Sequence, residues 1–183
     1  NTRVQVEHPV TEMVLGVDIV AEQIRIAAGQ PMMIRQEDVQ VRGHAIECRI
    51  NCEDARKGFL PRPGVIGRYE EPVGEGVRVD SGVEAGMAVS PRYDPLLAKL
   101  IVWGETRDIA LARSRRALAE FEVGGVKTNI PFHRGIVDNE AFHRAAEFLT
   151  AEHFYEPVHA RIWSMCAQRI ERGLLADPVT LKL

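Results

Sequence analysis

The sequence predicts an α+β fold on three observations. Two segments, residues 1–7 and 41–51, alternate polar and apolar residues with period two, as strands with one covered face do. The stretch from Gly58 to Pro95 is rich in proline and glycine and carries short strand candidates at Val65–Tyr69, Val77–Asp80 and Met87–Val89, with turn residues between them. From Asn129 onward the texture is helical only, with candidates at 139–148, 157–173 and 177–183. The shift from strands feeding helices to helices alone marks a boundary within residues 130–145.

Each element has a local cause. Asn-Thr-Arg-Val-Gln-Val-Glu at 1–7 should stop at His8-Pro9, because proline cannot donate to a ladder and restricts the residue before it. Asp18 to Ala28 reads as a largely apolar helix, with Gly29 as its stop. Leu96 to Trp103 is a longer apolar strand candidate. Gly104-Glu105-Thr106 breaks it, and Thr106 is the expected N-cap of the next helix. Along that helix Leu111, Ser114, Leu118 and Phe121 share a face, Arg107, Arg113 and Arg116 lie outside it, and Gly124-Gly125 closes it. In the tail, Gly173 ends one helix and Asp177-Pro178 starts the last.

Composition bounds the function classes. With 183 residues, 45% hydrophobic and 27% charged, the chain can build a core. A net charge of −3 and a pI near 6.1 give no electrostatic footprint for nucleic acid, so none is expected as a partner. No apolar run approaches the roughly 18 residues of a membrane span, and no secretory leader is recognised. Cys48, Cys52 and Cys166 are odd in number and spread apart, which argues against a disulfide framework and for the cytoplasm. Cys48 and Cys52, four apart, read as small buried hydrophobes. The chain begins without methionine inside a strand pattern, as a piece of a longer protein would.

The chemistry-bearing residues lie on the two alternating segments. Strand geometry puts Asn1, Arg3, Gln5 and Glu7 on one face, with neighbours about 6.5 Å apart, and Thr2, Val4 and Val6 on the other. That pattern fits either a solvent-facing edge with an Arg–Glu pair or the lining of a site. In the second segment His44, Ile46, Cys48 and Ile50 share one face, and Glu47, Arg49 and Asn51 the other. Pattern alone reads Arg49 as a surface or ion-pair residue and does not say that the two polar faces meet. His133, His143 and His153 recur every ten residues and His159 follows, but no two have metal-helix spacing, so no zinc site is expected.

Five blocks in order carry a resemblance. Asn-Thr-Arg-Val-Gln-Val-Glu-His-Pro-Val-Thr-Glu at 1–12 resembles the active-site segment of the biotin carboxylase family, the component of acetyl-CoA, propionyl-CoA, methylcrotonyl-CoA and pyruvate carboxylases. Arg-Gly-His-Ala-Ile-Glu-Cys-Arg-Ile-Asn at 42–51, Phe59 to Gly64, Tyr93-Asp94-Pro95 and Gly125 to Asn129 follow in that family's sequence. The resemblance implies that residues 1–37 end an ATP-grasp domain carrying the active-site strand. It also implies that 38–137 form the carboxyl-terminal domain, a mixed and largely antiparallel sheet with packed helices.

It further implies roles. Glu7 falls on the base that deprotonates bicarbonate, and Arg3 on the arginine that holds bicarbonate and carboxyphosphate. Gln5 and the amide of Val6 match further bicarbonate contacts. Asn1 matches a ligand of a magnesium or manganese ion. Arg49 matches the residue that stabilises the biotin enolate. These residue types suit the reaction: a carboxylate beside an arginine supplies base and counter-charge together, and a guanidinium grips carbonate, phosphate or enolate oxygens through paired hydrogen bonds. ATP, the metal ions and carrier-borne biotin are cofactors of the parent enzyme. Its ATP-grasp lysines, glycine-rich lid and glutamate metal ligands would lie upstream of Asn1. The chain alone is therefore expected to bind none of these cofactors and to be inactive. Its expected partners are the missing amino-terminal half, a biotin carboxyl carrier domain and, in the parent, a second copy. Gly125-Val-Lys-Thr lacks the first glycine and the intervening cradle of a P-loop, so Lys127 and Thr128 read as turn and helix-start residues.

The tail, 138–183, resembles the amino-terminal helical domain of bacterial replicative DNA helicase. The carriers are Glu152 to His159, Ile162-Trp163, Arg172-Gly173 and Asp177 to Leu181. That resemblance implies an assembly module without catalytic residues. Two alternatives to the carboxylase reading follow: an interaction module, or a join of two unrelated reading frames.

Overall fold

The computed structural model describes residues 3–139, which belong to one compact unit, Asn1–Asn139. Thr2, Asn1 and the helices expected at 139–148, 157–173 and 177–183 lie outside the described residues, save Asn139 itself. In chain order the elements are α1 (His8–Leu15), α2 (Ile19–Ala27), β1 (His44–Asn51), β2 (Glu53–Asp54), β3 (Leu60–Pro61), β4 (Arg68–Glu70), β5 (Val77–Ser81), β6 (Leu96–Gly104), α3 (Arg107–Glu120), β7 (Glu122–Gly124) and α4 (Ile130–Val137). The fold is α+β, and every strand pairing among the described residues is antiparallel.

The main sheet runs β1-β6-β5, with β6 in the centre. β6 is a nearly continuous apolar run because both of its faces are covered. On one face Cys48, Ile50, Ala98, Leu100 and Val102 pack toward α3, whose Leu111, Ser114 and Leu118 are fully buried. Thr106 caps α3 by accepting from the amide of Ile109, and the buried Ser114 hydroxyl is satisfied by the carbonyl of Ala110 at 2.8 Å. The arginines outside the buried stripe tie down loops: Arg113 donates to the Trp103 carbonyl and Arg116 to that of Val73. Burial pushes the Cys48 thiol up to about 12, so it is an inert packing residue.

The opposite face of the sheet is charged. Register pairs Arg49 with Lys99 and Glu47 with Ile101, while Asp80 and Arg78 face Lys99 and Ile101 from β5. α1 lies over this face. Its Glu12, only 6% exposed, accepts from Arg78 Nη1 at 2.7 Å and from the amide of Ile19 at 2.8 Å. Arg78 also grips both oxygens of Asp80, at 2.7 and 2.9 Å, and Lys99 reaches Asp80 at 3.2 Å. A buried carboxylate is tolerable only with such partners.

Several expectations are corrected. Residues 3–7 are not a strand. Among the described residues no strand edge faces them, and a lone strand would leave its backbone groups without ladder partners. They close local turns instead: His8 donates to the Gln5 carbonyl at 3.2 Å and Val10 to that of Glu7 at 3.0 Å. His8-Pro9 opens α1, where proline's missing N–H costs nothing. The second alternating segment is strand only from His44. Of the strands expected at Val65–Tyr69 and Met87–Val89, Arg68 and Tyr69 fall in β4, and Val65 and Ala88 make only an isolated bridge. α3 ends at Glu120, before Gly124-Gly125, because β7 pairs with β4. Gly125 is required there: at φ 87° a Cβ would stand 2.5 Å from the Val65 carbonyl oxygen.

Glu12→Ala should strand the Ile19 amide and one edge of Arg78. We expect a loss of about 1–3 kcal/mol, discounted because Arg78 keeps Asp80, measured as a lowered urea midpoint.

Candidate functional site

Residues 3–8 and the amino-terminal ends of α1 and α2 surround an open cleft of about 280 Å³, lined by Arg3, Val4, Gln5, Glu7, His8, Thr11, Ile19 and Gln23. Three of the residues read from sequence, Arg3, Gln5 and Glu7, thus share one cleft. They do so on a bend and turn, not on one face of a strand, and Val4 lines the cleft with them. The Val6 carbonyl accepts from Lys99 Nζ at 3.4 Å, which pins the turn to the centre of the sheet. His8 Nδ1 lies 2.7 Å from the Gln5 carbonyl. Asn1 is outside the described residues.

Arg49 meets this turn. Its Nη2 donates to Glu7 Oε1 in an ion pair between residues 42 apart in sequence, so the two segments left unconnected by pattern do meet. On its other edge, Arg49 Nε lies 3.9 Å from Glu47 Oε1. The Glu47 side chain is 5% exposed, and neither of its oxygens receives a hydrogen bond among the described residues. Burial pushes its carboxyl above the usual carboxylate range, opposed by the charges of Lys99 and His8.

The backbone at Arg49 is held from α4. Asn129 Nδ2 donates to the Arg49 carbonyl at 3.0 Å, and Asn129 Oδ1 accepts from the Asn51 amide at 2.9 Å. His133 Nε2 lies 2.9 Å from the same Arg49 carbonyl. Burial holds the His133 imidazole below its ordinary value, against the upward pull of that carbonyl. Sequence reading gave Asn129 as the end of a motif block and weighed His133 only for zinc, and so missed this clamp. The only signal was that Asn129 closes a motif block and His133 follows it by one helical turn.

The described residues hold no cluster of acidic, histidine and cysteine side chains of the kind that binds a metal ion. Glu7, Glu12 and Asp80 are each engaged by Arg49, Arg78 or Lys99. What the arrangement offers is an exposed carboxylate paired to an exposed guanidinium, beside a second exposed arginine, Arg3. That set can take a proton and hold an anion.

Comparison with known proteins places the chain. Residues 47–152, more than half of it, match the profile described as Biotin carboxylase C-terminal domain, and residues 1–35 match the carbamoyl-phosphate synthase L chain ATP-binding domain. The chain belongs to the biotin carboxylase C-terminal domain family. Among its relatives, a pyruvate carboxylase subunit of Methanothermobacter thermautotrophicus is 55% identical over 144 residues, 79% of this chain and 29% of that protein. Biotin carboxylase of Haemophilus influenzae is 55% identical, covering 79% and 32%. The 2-oxoglutarate carboxylase small subunit of Hydrogenobacter thermophilus is 46% identical over 176 residues, 96% of this chain and 36% of that one. A solved structure of the Hydrogenobacter biotin carboxylase domain dimer, with MgADP, ADP and bicarbonate, superposes with a TM-score of 0.76 at 52% identity. It covers 78% of this chain and 31% of that one. The chain thus spans about a third of the length of the curated relatives it matches. Residues 136–183 match the DnaB-like helicase N-terminal domain, in line with the second resemblance read from the tail. Among the described residues no helix is long and apolar enough to cross a membrane.

Two outcomes follow. Asn129→Ala leaves the Asn51 amide without its acceptor, an expected loss of about 1–3 kcal/mol by denaturant titration. For His133, the folded imidazole binds its proton less readily than the unfolded one, so the unfolded chain takes up protons first as pH falls through the ordinary value of about 6.5. Its contribution is therefore present above that value and lost on acidification. The drop in urea midpoint between about pH 7.5 and pH 5.5 should be smaller in His133→Gln than in the wild type.

Proposed function

We propose that this chain contributes the bicarbonate- and biotin-handling residues of an ATP-dependent biotin carboxylase, working through carboxyphosphate on biotin borne by a carrier protein. The observation that carries the reading is the Glu7–Arg49 ion pair, which joins the first motif block to the second at the mouth of the cleft holding Arg3 and Gln5. Glu7 takes the proton of bicarbonate, and Arg3 neutralises the charge that appears on the carbonate oxygens. Gln5 and the Val6 amide orient that anion. Once Glu7 turns to bicarbonate, Arg49 has an Nη edge free for the ureido oxygen of biotin, where negative charge develops after the ureido nitrogen loses its proton. Phosphoryl transfer itself, with its nucleotide and metal ions, belongs to residues outside those described. Asn1 is proposed as one of the ligands. The partners proposed are an ATP-binding amino-terminal half, a carrier domain and a second copy of the carboxylase, in the cytoplasm. The domain limits proposed are 1–37, 38–137 and 138–183. A second reading, an assembly module in residues 138–183, is favoured by the helicase-type match of the tail and would be supported by capture of purified primase or helicase on that segment.

The reading is tested by adding the ATP-binding half of a relative in trans and measuring bicarbonate-dependent carboxylation of free biotin. The chain alone should show none. With the half added, turnover should appear and fall by about 100-fold or more in Glu7→Gln, the scale of a lost general base. Arg49→Lys should fall similarly, since an ammonium cannot reproduce the paired hydrogen bonds. Full activity in Glu7→Gln would remove Glu7 from the role of base.

A further inference from the structure

Arg49 stands between two carboxylates of opposite character. Glu7, on its Nη2 edge, is exposed and sits on a turn. Glu47, near its Nε edge at 3.9 Å, is 5% exposed and fixed in the middle of β1. Residues two apart on a strand share a face, so β1 geometry itself keeps Glu47 beside Arg49. A buried carboxylate with no hydrogen-bond donor on either oxygen is costly unless it serves a neighbouring charge. We propose that Glu47 is a positioning residue for Arg49, holding the Nε edge so that the Nη edge stays aimed at the cleft when Glu7 leaves it.

The surroundings of Glu47 make the assignment specific. The titratable and charged groups facing it are Arg49 on β1, Lys99 on β6, Arg78 and Asp80 on β5, and His8 at the start of α1, with Glu7 just before. Lys99 and Arg78 are engaged by Asp80, and Arg78 by Glu12 as well. His8 is turned to the Gln5 carbonyl. Among the described residues the ion pair of Glu47 is with Arg49, at 3.9 Å, and Arg49 is shared with Glu7, while Lys99 and His8 act on the Glu47 carboxyl as nearby charges. With its side chain 5% exposed, Glu47 acts through the guanidinium and not by direct contact in the cleft. Its bearing on catalysis rests on the carboxylase reading; its coupling to Arg49 does not.

The test uses the whole 183-residue chain, labelled with 15N and 13C. The Arg49 Nε–Hε signal is identified by its loss in Arg49→Lys and followed as pH is lowered from about 8 to 4. Because burial lifts the Glu47 carboxyl, its proton uptake falls above the usual carboxylate range, apart from that of exposed acids. We expect the Arg49 signal to move with that midpoint in the wild type, in Glu7→Gln and in His8→Gln, and the movement to be lost in Glu47→Gln. Movement that persists in Glu47→Gln, or that disappears in Glu7→Gln or His8→Gln, overturns the proposal. So does an Arg49 signal that never moves in the wild type. If Glu47→Gln does not fold, the wild type decides: the Glu47 carboxyl carbon and Arg49 Nε must share one midpoint, and two separate midpoints overturn the coupling. A shared midpoint without carboxylation in trans sinks the carboxylase reading alone.

Discussion

The described unit depends on neutralising one face of its main sheet. β1, β6 and β5 turn Arg49, Lys99, Arg78, Glu47 and Asp80 to the same side, and α1 closes over them. Covering such a face is costly unless most of its charges are paired. Glu12 meets Arg78, Asp80 meets Arg78 and Lys99, and Glu7 meets Arg49. The helix that seals the face therefore also delivers the turn of residues 3–7 to the cleft. The same contacts that hold α1 on the sheet hold the turn beside it: Glu12 accepts from Arg78, and the Val6 carbonyl accepts from Lys99.

Arg49 is specified from three directions. Its carbonyl is held by Asn129 and His133 of the segment around α4, its Nη edge meets Glu7, and its Nε edge lies near Glu47. The backbone contacts fix where the side chain starts, and the carboxylates fix where it points. Arginine side chains have many rotamers, so an arginine that must meet a small anion needs such determination.

Much of this was legible. The alternation in 44–51 assigned both faces of β1 correctly, because a side-chain period of two leaves no freedom once one face is apolar. Thr106 and the 111–114–118–121 stripe foretold α3 and its buried face for similar local reasons. The segment 3–7 misled, since alternation reports a strand only where a neighbouring edge is there to receive it. The α4 clamp was illegible for a different cause. Asn129 and Asn51 are 78 residues apart, and nothing in either neighbourhood encodes the other. Glu47 was placed on the polar face by pattern, but that it would be sealed there by α1 is a tertiary fact.

The clamp on Arg49 also sets where this sequence can change hands in recombination. His133 holds the Arg49 carbonyl from within α4, which runs to Val137. A crossover upstream of Asn129 would cut the clamp and release Arg49. One placed past Val137 would leave the contacts of Arg49 with Glu7, Glu47, Asn129 and His133 in place. The helicase-type match begins at residue 136, at the end of α4. The carboxylase match runs on to residue 152, so the two overlap beyond the last residues that hold Arg49.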